Sequence, residues 1–146
     1  MCVDFRELNK IVVKDSFPLP VIDDLLNNLS KARYFTALDL RDDFYHIDIE
    51  KSSIIYTSFV IPGGQFEFLK MPFGFVNSPA VFQRYKNVIF SDLIRQGKLQ
   101  IYMDDILIAT ETLDENLAIL GEVCRIMKSN KLQLRLDKCS CMMTTI

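Results

Sequence analysis

The sequence predicts an α+β fold, an antiparallel sheet with helices on one face, and three observations carry that expectation. The apolar runs Leu99-Gln100-Ile101 and Ile106-Leu107-Ile108-Ala109 flank Asp104-Asp105, which reads as two strands buried on both faces with the aspartates at the turn between them. Two longer stretches, beginning at Ser78 and Thr112, keep apolar residues at helical spacing. From Tyr34 onward the order reads strand, hairpin, helix, hairpin, helix, strand, and a mixed order of this kind suits an antiparallel sheet backed by helices. With 146 residues, 49% hydrophobic and 25% charged, the chain fits one domain with a sizeable core.

Taken in order, residues 3–10 mix charged and apolar groups, and Ser16-Phe17-Pro18-Leu19-Pro20 is an extended entry, because proline blocks a helix there. A short helix is expected over about 21–31, where Val21, Ile22, Leu25, Leu26 and Leu29 share one face and Asp23-Asp24 lies on the solvated side. Tyr34-Phe35-Thr36-Ala37-Leu38 reads as a strand with Asp39 at its end. Residues 54–61 and 65–70 form two β-rich runs joined at Pro62-Gly63-Gly64, a hairpin signal. Ser78-Pro79 opens a helix as N-cap and first turn, its inward set being Val81, Phe82, Tyr85, Val88, Ile89 and Leu93, with Gly97 as the stop. Thr112 and Glu115 have capping-box spacing ahead of a second helix with the inward stripe Leu117, Leu120, Cys124 and Met127. Leu132, Leu134 and Leu136 then alternate with polar residues as in a half-buried strand.

Composition excludes several function classes. A net charge of −2 is not that of a generic nucleic-acid coat, and any grip on nucleic acid by this chain alone is expected to be weak and salt-sensitive. His46 is the only histidine, so histidine-based triads and multi-histidine metal sites are excluded as the centre of the chemistry. Cys2, Cys124, Cys139 and Cys141 lack framework spacing and read as reduced thiols, and Cys139-x-Cys141 has no second Cys/His pair with which to hold zinc. No stretch approaches the roughly 18 consecutive apolar residues of a membrane helix, and there is no signal-peptide pattern. An intracellular chain without a membrane partner is the expectation.

The chemistry centres on Tyr102-Met103-Asp104-Asp105. Carboxylates are rarely buried unless paired or bound to metal, and two hard oxygen ligands aimed at one point suit magnesium carrying substrate phosphates. Asp-Asp recurs at Asp23-Asp24 and Asp42-Asp43, so it is the apolar frame around Asp104-Asp105 that makes it informative. A metal-binding scaffold with purely structural carboxylates stays open at this point.

Val3-Asp4-Phe5-Arg6-Glu7-Leu8-Asn9-Lys10, Phe17-Pro18-Leu19-Pro20, Leu38-Asp39-Leu40-Arg41, Met71-Pro72-Phe73-Gly74, Asn77-Ser78-Pro79-Ala80-Val81-Phe82-Gln83 and Tyr102-Met103-Asp104-Asp105 together resemble, in order, the successive motifs of reverse transcriptases. The resemblance covers nearly the whole chain and is greatest to the polymerases of gypsy-type LTR retrotransposons and retroviruses. It implies an RNA-directed DNA polymerase palm with partial fingers: fingers-like parts at about 1–33 and 52–78, palm at about 34–51 and 79–146. It implies that Asp39 and Asp104, with the Leu40 backbone carbonyl, hold two Mg2+ ions (Mn2+ can substitute) about 3.5–4 Å apart, with Asp105 as a third, supporting carboxylate.

The resemblance also implies a nucleotide pocket of Phe44, Phe73, Gly74 and Lys138, in which the Phe44 ring sits beneath the incoming sugar and blocks a 2′-hydroxyl. Tyr102, Met103, Gln83 and Arg6 would meet primer and template, with Arg84 following Gln83 on the helix. The implied partners are an RNA or DNA template with primer, a dNTP, and the thumb, ribonuclease H and integrase domains of a polyprotein. The implied location is the cytoplasm or a virus-like particle, with the nucleus as a further compartment. Against the family pattern, the triphosphate-binding basic residues of the fingers would fall at or before Met1, and the primer grip, thumb and ribonuclease H beyond Ile146. Asp43 stands where a small residue is usual, and like charges a few ångströms apart repel by about 1–4 kcal/mol. A catalytic module and a non-catalytic or domesticated remnant acting as a binding module are both compatible with these residues.

Overall fold

The computed structural model describes residues 3–18, 29–102 and 105–144, and only the backbone of Asp43. Most of the helix expected over 21–31, with Asp23 and Asp24, lies outside the described residues, as do Met103 and Asp104. The chain divides into two compact units, Met1–Ser16 with Asp42–Phe82, and Phe17–Arg41 with Gln83–Ile146.

The second unit is built on a four-stranded antiparallel sheet in the order β4-β5-β1-β6. Strand β1 (Tyr34–Asp39) pairs with β5 (Asp105–Thr110) from Tyr34 opposite Thr110 to Asp39 opposite Asp105. Strand β4 (Gln100–Tyr102) forms a hairpin with β5, its Tyr102 also opposite Asp105. Along β5, Ile106, Ile108 and Thr110 are buried while Leu107 and Ala109 are half-buried. The expected burial on both faces therefore becomes alternation, as in an antiparallel sheet with one covered face.

The cover is a helix of Leu113–Ser129, capped by the Thr112 hydroxyl, which accepts from Glu115 N–H at 3.3 Å. It packs on β5 and β1. Its buried residues are Asn116, Ile119, Val123 and Met127, whereas Leu117 and Cys124 are exposed. The expected stripe is thus rotated by about one residue, and a polar side chain causes the rotation. Thr36 Oγ1 donates to Asn116 Oδ1 at 2.6 Å, and Asn116 Nδ2 donates to Tyr34 O and Thr110 Oγ1 at 3.2 and 3.3 Å. A fully satisfied buried amide outranks the hydrophobic pattern, because leaving its partners unpaired costs more than exposing one leucine.

The segment after this helix departs further from expectation. Leu132 is buried and Leu134 makes a single bridge to Leu40, but Leu136 is exposed and opens a 3₁₀ turn, Leu136–Lys138. The strand forms later, as β6 (Ser140–Met143), paired to β1 with a one-residue bulge between the Phe35–Met143 and Ala37–Ser140 pairs. Met142 occupies the bulge at φ +56°, and its N–H donates to Thr36 Oγ1 at 3.0 Å, which satisfies a backbone group the ladder leaves out.

The first unit begins with helix α1 (Arg6–Ile11) and holds a two-stranded hairpin, β2 (Phe59–Ile61) and β3 (Gly64–Phe66), turned at Pro62-Gly63. The strand expected over 54–61 starts late because Ile54–Thr57 coil into a 3₁₀ turn. The Thr57 hydroxyl drives this, donating to Ile54 O at 2.7 Å and accepting from Phe68 N–H at 2.9 Å. The strand expected over 65–70 ends at Phe66, and Lys70 instead bridges to Asp48, with their side chains ion-paired at 2.6 Å.

Helix α2 (Ser78–Ile89) gives its first residues to this unit and the rest to the other. The Ser78 hydroxyl donates to Pro72 O at 2.9 Å. The helix buries Phe82, Gln83 and Lys86 and exposes Val88, which the apolar pattern had placed inward. A separate short helix, α3 (Ser91–Arg95), follows a break at the buried Phe90, and the helix at Leu113–Ser129 is α4.

Candidate active site

Asp39 closes β1, and its backbone fixes where its side chain points. Its carbonyl accepts Arg135 N–H at 2.9 Å, so the hydrogen-bonding groups of Asp39 face the β6 side of the sheet. Against β5 it therefore occupies a non-hydrogen-bonded position, where opposed residues come closest, about 4.5 Å between Cα atoms. The residue opposite is Asp105. Two carboxylates directly across a strand pair destabilise the sheet unless a cation answers them.

The cations of this unit answer incompletely. Arg135 Nε lies 3.8 Å from Asp39 Oδ1 and Lys138 Nζ 4.0 Å from Asp39 Oδ2, too long for hydrogen bonds. Asp39 Oδ1 is buried and has no hydrogen-bond partner among the described residues. A buried carboxylate oxygen with only a long ion pair and no hydrogen bond, opposite a second carboxylate, suits a hard divalent cation. The residues present fit such an ion. Leu40 fits as well: the bonds Arg41 N–H to Gln133 O and Arg135 N–H to Asp39 O flank it, which directs its own carbonyl to the β5 edge. Among the described residues no cluster of three His, Cys, Asp or Glu side chains forms, and Asp104, expected as a metal ligand, lies outside them together with Met103.

Lys138, expected in the nucleotide pocket, is half-exposed beside Asp39, carried there by the 3₁₀ turn. Arg135 stands with it and was not singled out in the sequence, where it read as an outward position of an alternating strand. The signal available was its distance of three residues from Lys138, one turn of a 3₁₀ helix. Cys139 closes the same corner, its thiol donating to Arg135 O at 3.2 Å. Tyr102 sits half-buried at the end of β4, opposite Asp105.

The aromatic residues expected in the nucleotide pocket lie in the first unit. Asp42, at φ +54°, turns the chain into the 3₁₀ turn Asp43–His46, a conformation that a short polar side chain tolerates. Phe44 in that turn meets Phe73 at 4.8 Å between ring centroids and Phe82 edge-on at 5.8 Å, and Tyr45 meets Phe73 at 5.3 Å. Gly74 follows at φ +85°, where any side chain would strain the backbone.

Two residues expected at primer and template are placed less simply. Arg6 is exposed and its Nε lies 2.9 Å from both oxygens of Asp4. Its side-chain hydrogen bonds pull the Asp4 carboxyl down to about 2, and the same bonds push the Arg6 guanidinium further up. Gln83 is buried rather than at the surface. Its Nε2 donates to Asn87 Oδ1 at 3.1 Å, and its Oε1 has no hydrogen-bond partner among the described residues.

Comparison with known proteins gives a consistent result. Residues 1–146 match the family described as reverse transcriptase (RNA-dependent DNA polymerase). The chain is 40% identical over 137 residues to the retrovirus-related Pol polyprotein from transposon 297 of Drosophila melanogaster, covering 94% of this chain and 13% of that polyprotein. To the corresponding polyprotein from transposon gypsy of the same organism it is 32% identical over 139 residues, again 94% of this chain and 13% of the relative. Among solved structures, the foamy viral protease-reverse transcriptase in complex with RNA/DNA hybrid superposes with a TM-score of 0.84 at 31% identity, over 94% of this chain and 18% of that one. The form in complex with double-stranded DNA superposes with a TM-score of 0.88 at 30% identity, over 98% and 25%. The chain thus spans about an eighth of the length of the transposon polyproteins it matches. The α+β reading and the reverse-transcriptase resemblance are both upheld.

Proposed function

The chain belongs to the reverse transcriptase family, and from that premise we propose that it supplies the palm and part of the fingers of an RNA-directed DNA polymerase in a retrotransposon polyprotein. The family uses divalent metal ions. The observation that carries the reading is the opposed pair Asp39 and Asp105, with a buried Asp39 oxygen that no described hydrogen-bond donor satisfies.

In the reaction the primer 3′-oxygen attacks the α-phosphorus of a dNTP, and the bond to the bridging oxygen breaks to release pyrophosphate. Asp39, Asp104 and the Leu40 carbonyl would hold two Mg2+ ions, or Mn2+, which supply Lewis-acid stabilisation of the attacking and leaving oxygens. Asp105 adds a second carboxylate to the field that Asp39 feels and supports the site from the neighbouring strand. Lys138 brings an ammonium group to the carboxylate corner, from which it can offset charge on the departing pyrophosphate and give it a proton. Tyr102 and Met103 would meet the primer terminus, and Phe44, backed by Phe73 and Phe82, would present a ring against a 2′-hydroxyl. Template, primer, dNTP and the remaining polyprotein domains are the partners this reading requires.

The test is primer extension on poly(rA)–oligo(dT) with dTTP and Mg2+ or Mn2+, beside Asp39→Asn and Asp104→Asn. Extension by the parent chain that both substitutions abolish is expected. A folded parent chain that binds neither nucleotide nor metal would overturn the reading.

A further inference from the structure

We propose that Asn9, assisted by Asn77, is a positioning residue that sets sugar selection by fixing the loop that backs Phe44. This inference rests on the polymerase reading above. Asn9 spends both ends of its amide on one loop: Nδ2 donates to Gly74 O at 2.8 Å, and Oδ1 accepts from Val76 N–H at 2.9 Å. Asn77 makes the reciprocal pair, donating to Val13 O at 2.9 Å and accepting from Asp15 N–H at 3.0 Å. Four side-chain bonds therefore tie residues 9–15 to residues 74–77 across more than 60 positions of sequence.

The loop so held has no regular structure to define it, and Gly74 at φ +85° would be one of its softest points. Its position matters because Phe73, the residue before Gly74, contacts both Phe44 and Tyr45. A ring excludes a 2′-hydroxyl only if it cannot retreat, and Phe73 is what stands behind Phe44 on that side. The Asn9 bonds to Gly74 and Val76 hold the backbone immediately after Phe73, so loosening them lets both rings move. A loop that merely stabilised the fold would affect both sugars equally; this clamp should affect their ratio.

The experiment compares dATP with ATP, as equilibrium binding and as single-nucleotide incorporation, on the full 146-residue chain with template–primer and Mg2+. Asn9→Ala removes both bonds. Asn9→Asp keeps the acceptor for Val76 N–H but sets an oxygen against the Gly74 carbonyl. Each should reduce preference for the deoxy sugar about tenfold, the equivalent of one or two hydrogen bonds, chiefly by admitting ATP. Asn77→Ser, which keeps a shorter hydroxyl, should do the same to a smaller degree, and hydrogen exchange at Val76 N–H should quicken in both Asn9 variants. A parent chain that discriminates while folded Asn9 variants discriminate equally well overturns this inference alone. A folded parent chain that binds neither nucleotide overturns the polymerase reading and this inference with it.

Discussion

Asp39 shows how single residues carry the site. Asp39→Asn removes one of two opposed carboxylates while keeping shape, so its effect on function and on stability should part company. Activity is expected to fall by at least about 100-fold, as for loss of a metal ligand or its support. The melting temperature should change little, because the repulsion with Asp105 and the long ion pairs to Arg135 and Lys138 disappear together. Mg2+ at ten times its dissociation constant should raise the parent melting temperature by about 4 °C and leave Asp39→Asn unmoved, as calorimetry would read. A second residue-scale case is Asp4, whose carboxyl Arg6 holds at about 2 against an ordinary 3.8. A depressed carboxyl contributes stability above its unfolded value and loses it as pH falls toward the folded one, so this contribution should fade between about pH 4 and 2. In Arg6→Gln, NMR titration should find Asp4 back near its ordinary value. Asp105 stood out in the sequence because apolar neighbours framed it with Asp104, and Asp39 because it ends a strand-like run and matches a reverse-transcriptase motif. Arg135 did not, because alternation with leucines disguised a 3₁₀ turn as a strand.

Elements were legible where hydrophobic periodicity decided them and shifted where polar side chains did. Strands β1, β4 and β5 and helix α4 fall where pattern and capping placed them, whereas the β2–β3 hairpin is shorter than its two apolar runs and the helix expected to run to Gly97 breaks at Phe90 into α2 and α3. The stripe of α4 is offset because Asn116, which no periodicity scale marks as core, ties Tyr34, Thr36 and Thr110 together. Strand β6 was missed because Ser140-Cys141-Met142-Met143 carries a bulge with a non-glycine residue at positive φ, completed by the Thr36 side chain. This yields a contrast between neighbours. Asn116→Ala should destabilise the chain by about 2–4 kcal/mol, because it leaves several buried partners unpaired. Leu117→Ala, at a position 44% exposed, should cost less than about 1 kcal/mol. Urea unfolding of both variants checks the pair, and the reverse order would restore the stripe that the sequence alone suggests.

At the scale of the whole molecule, the fold class was readable because order and periodicity agree, whereas composition and periodicity alone carry no mark of the division into two units. Its borders fall after Ser16 and Arg41 and inside α2, between Phe82 and Gln83, where no linker composition marks them. The surface presents a further consequence. Val60 is 77% exposed on a hairpin with no third strand among the described residues, and Ile61 and Phe66 beside it are exposed too. Ile11, Val13, Ile55, Tyr56 and Leu69 add exposed apolar groups in the same unit. Unpaired strand edges and exposed apolar groups drive association, and a net charge of −2 offers little repulsion to oppose it. Sedimentation velocity should therefore show concentration-dependent self-association of this chain. Val60→Lys should weaken it, because a lysine on an edge strand resists pairing with another chain. The same substitution in Val88, exposed on α2 outside the hairpin, is the control and should leave association nearly unchanged. If Val88→Lys were as effective as Val60→Lys, charge alone would be responsible, and the hairpin edge would lose its claim to be the contact.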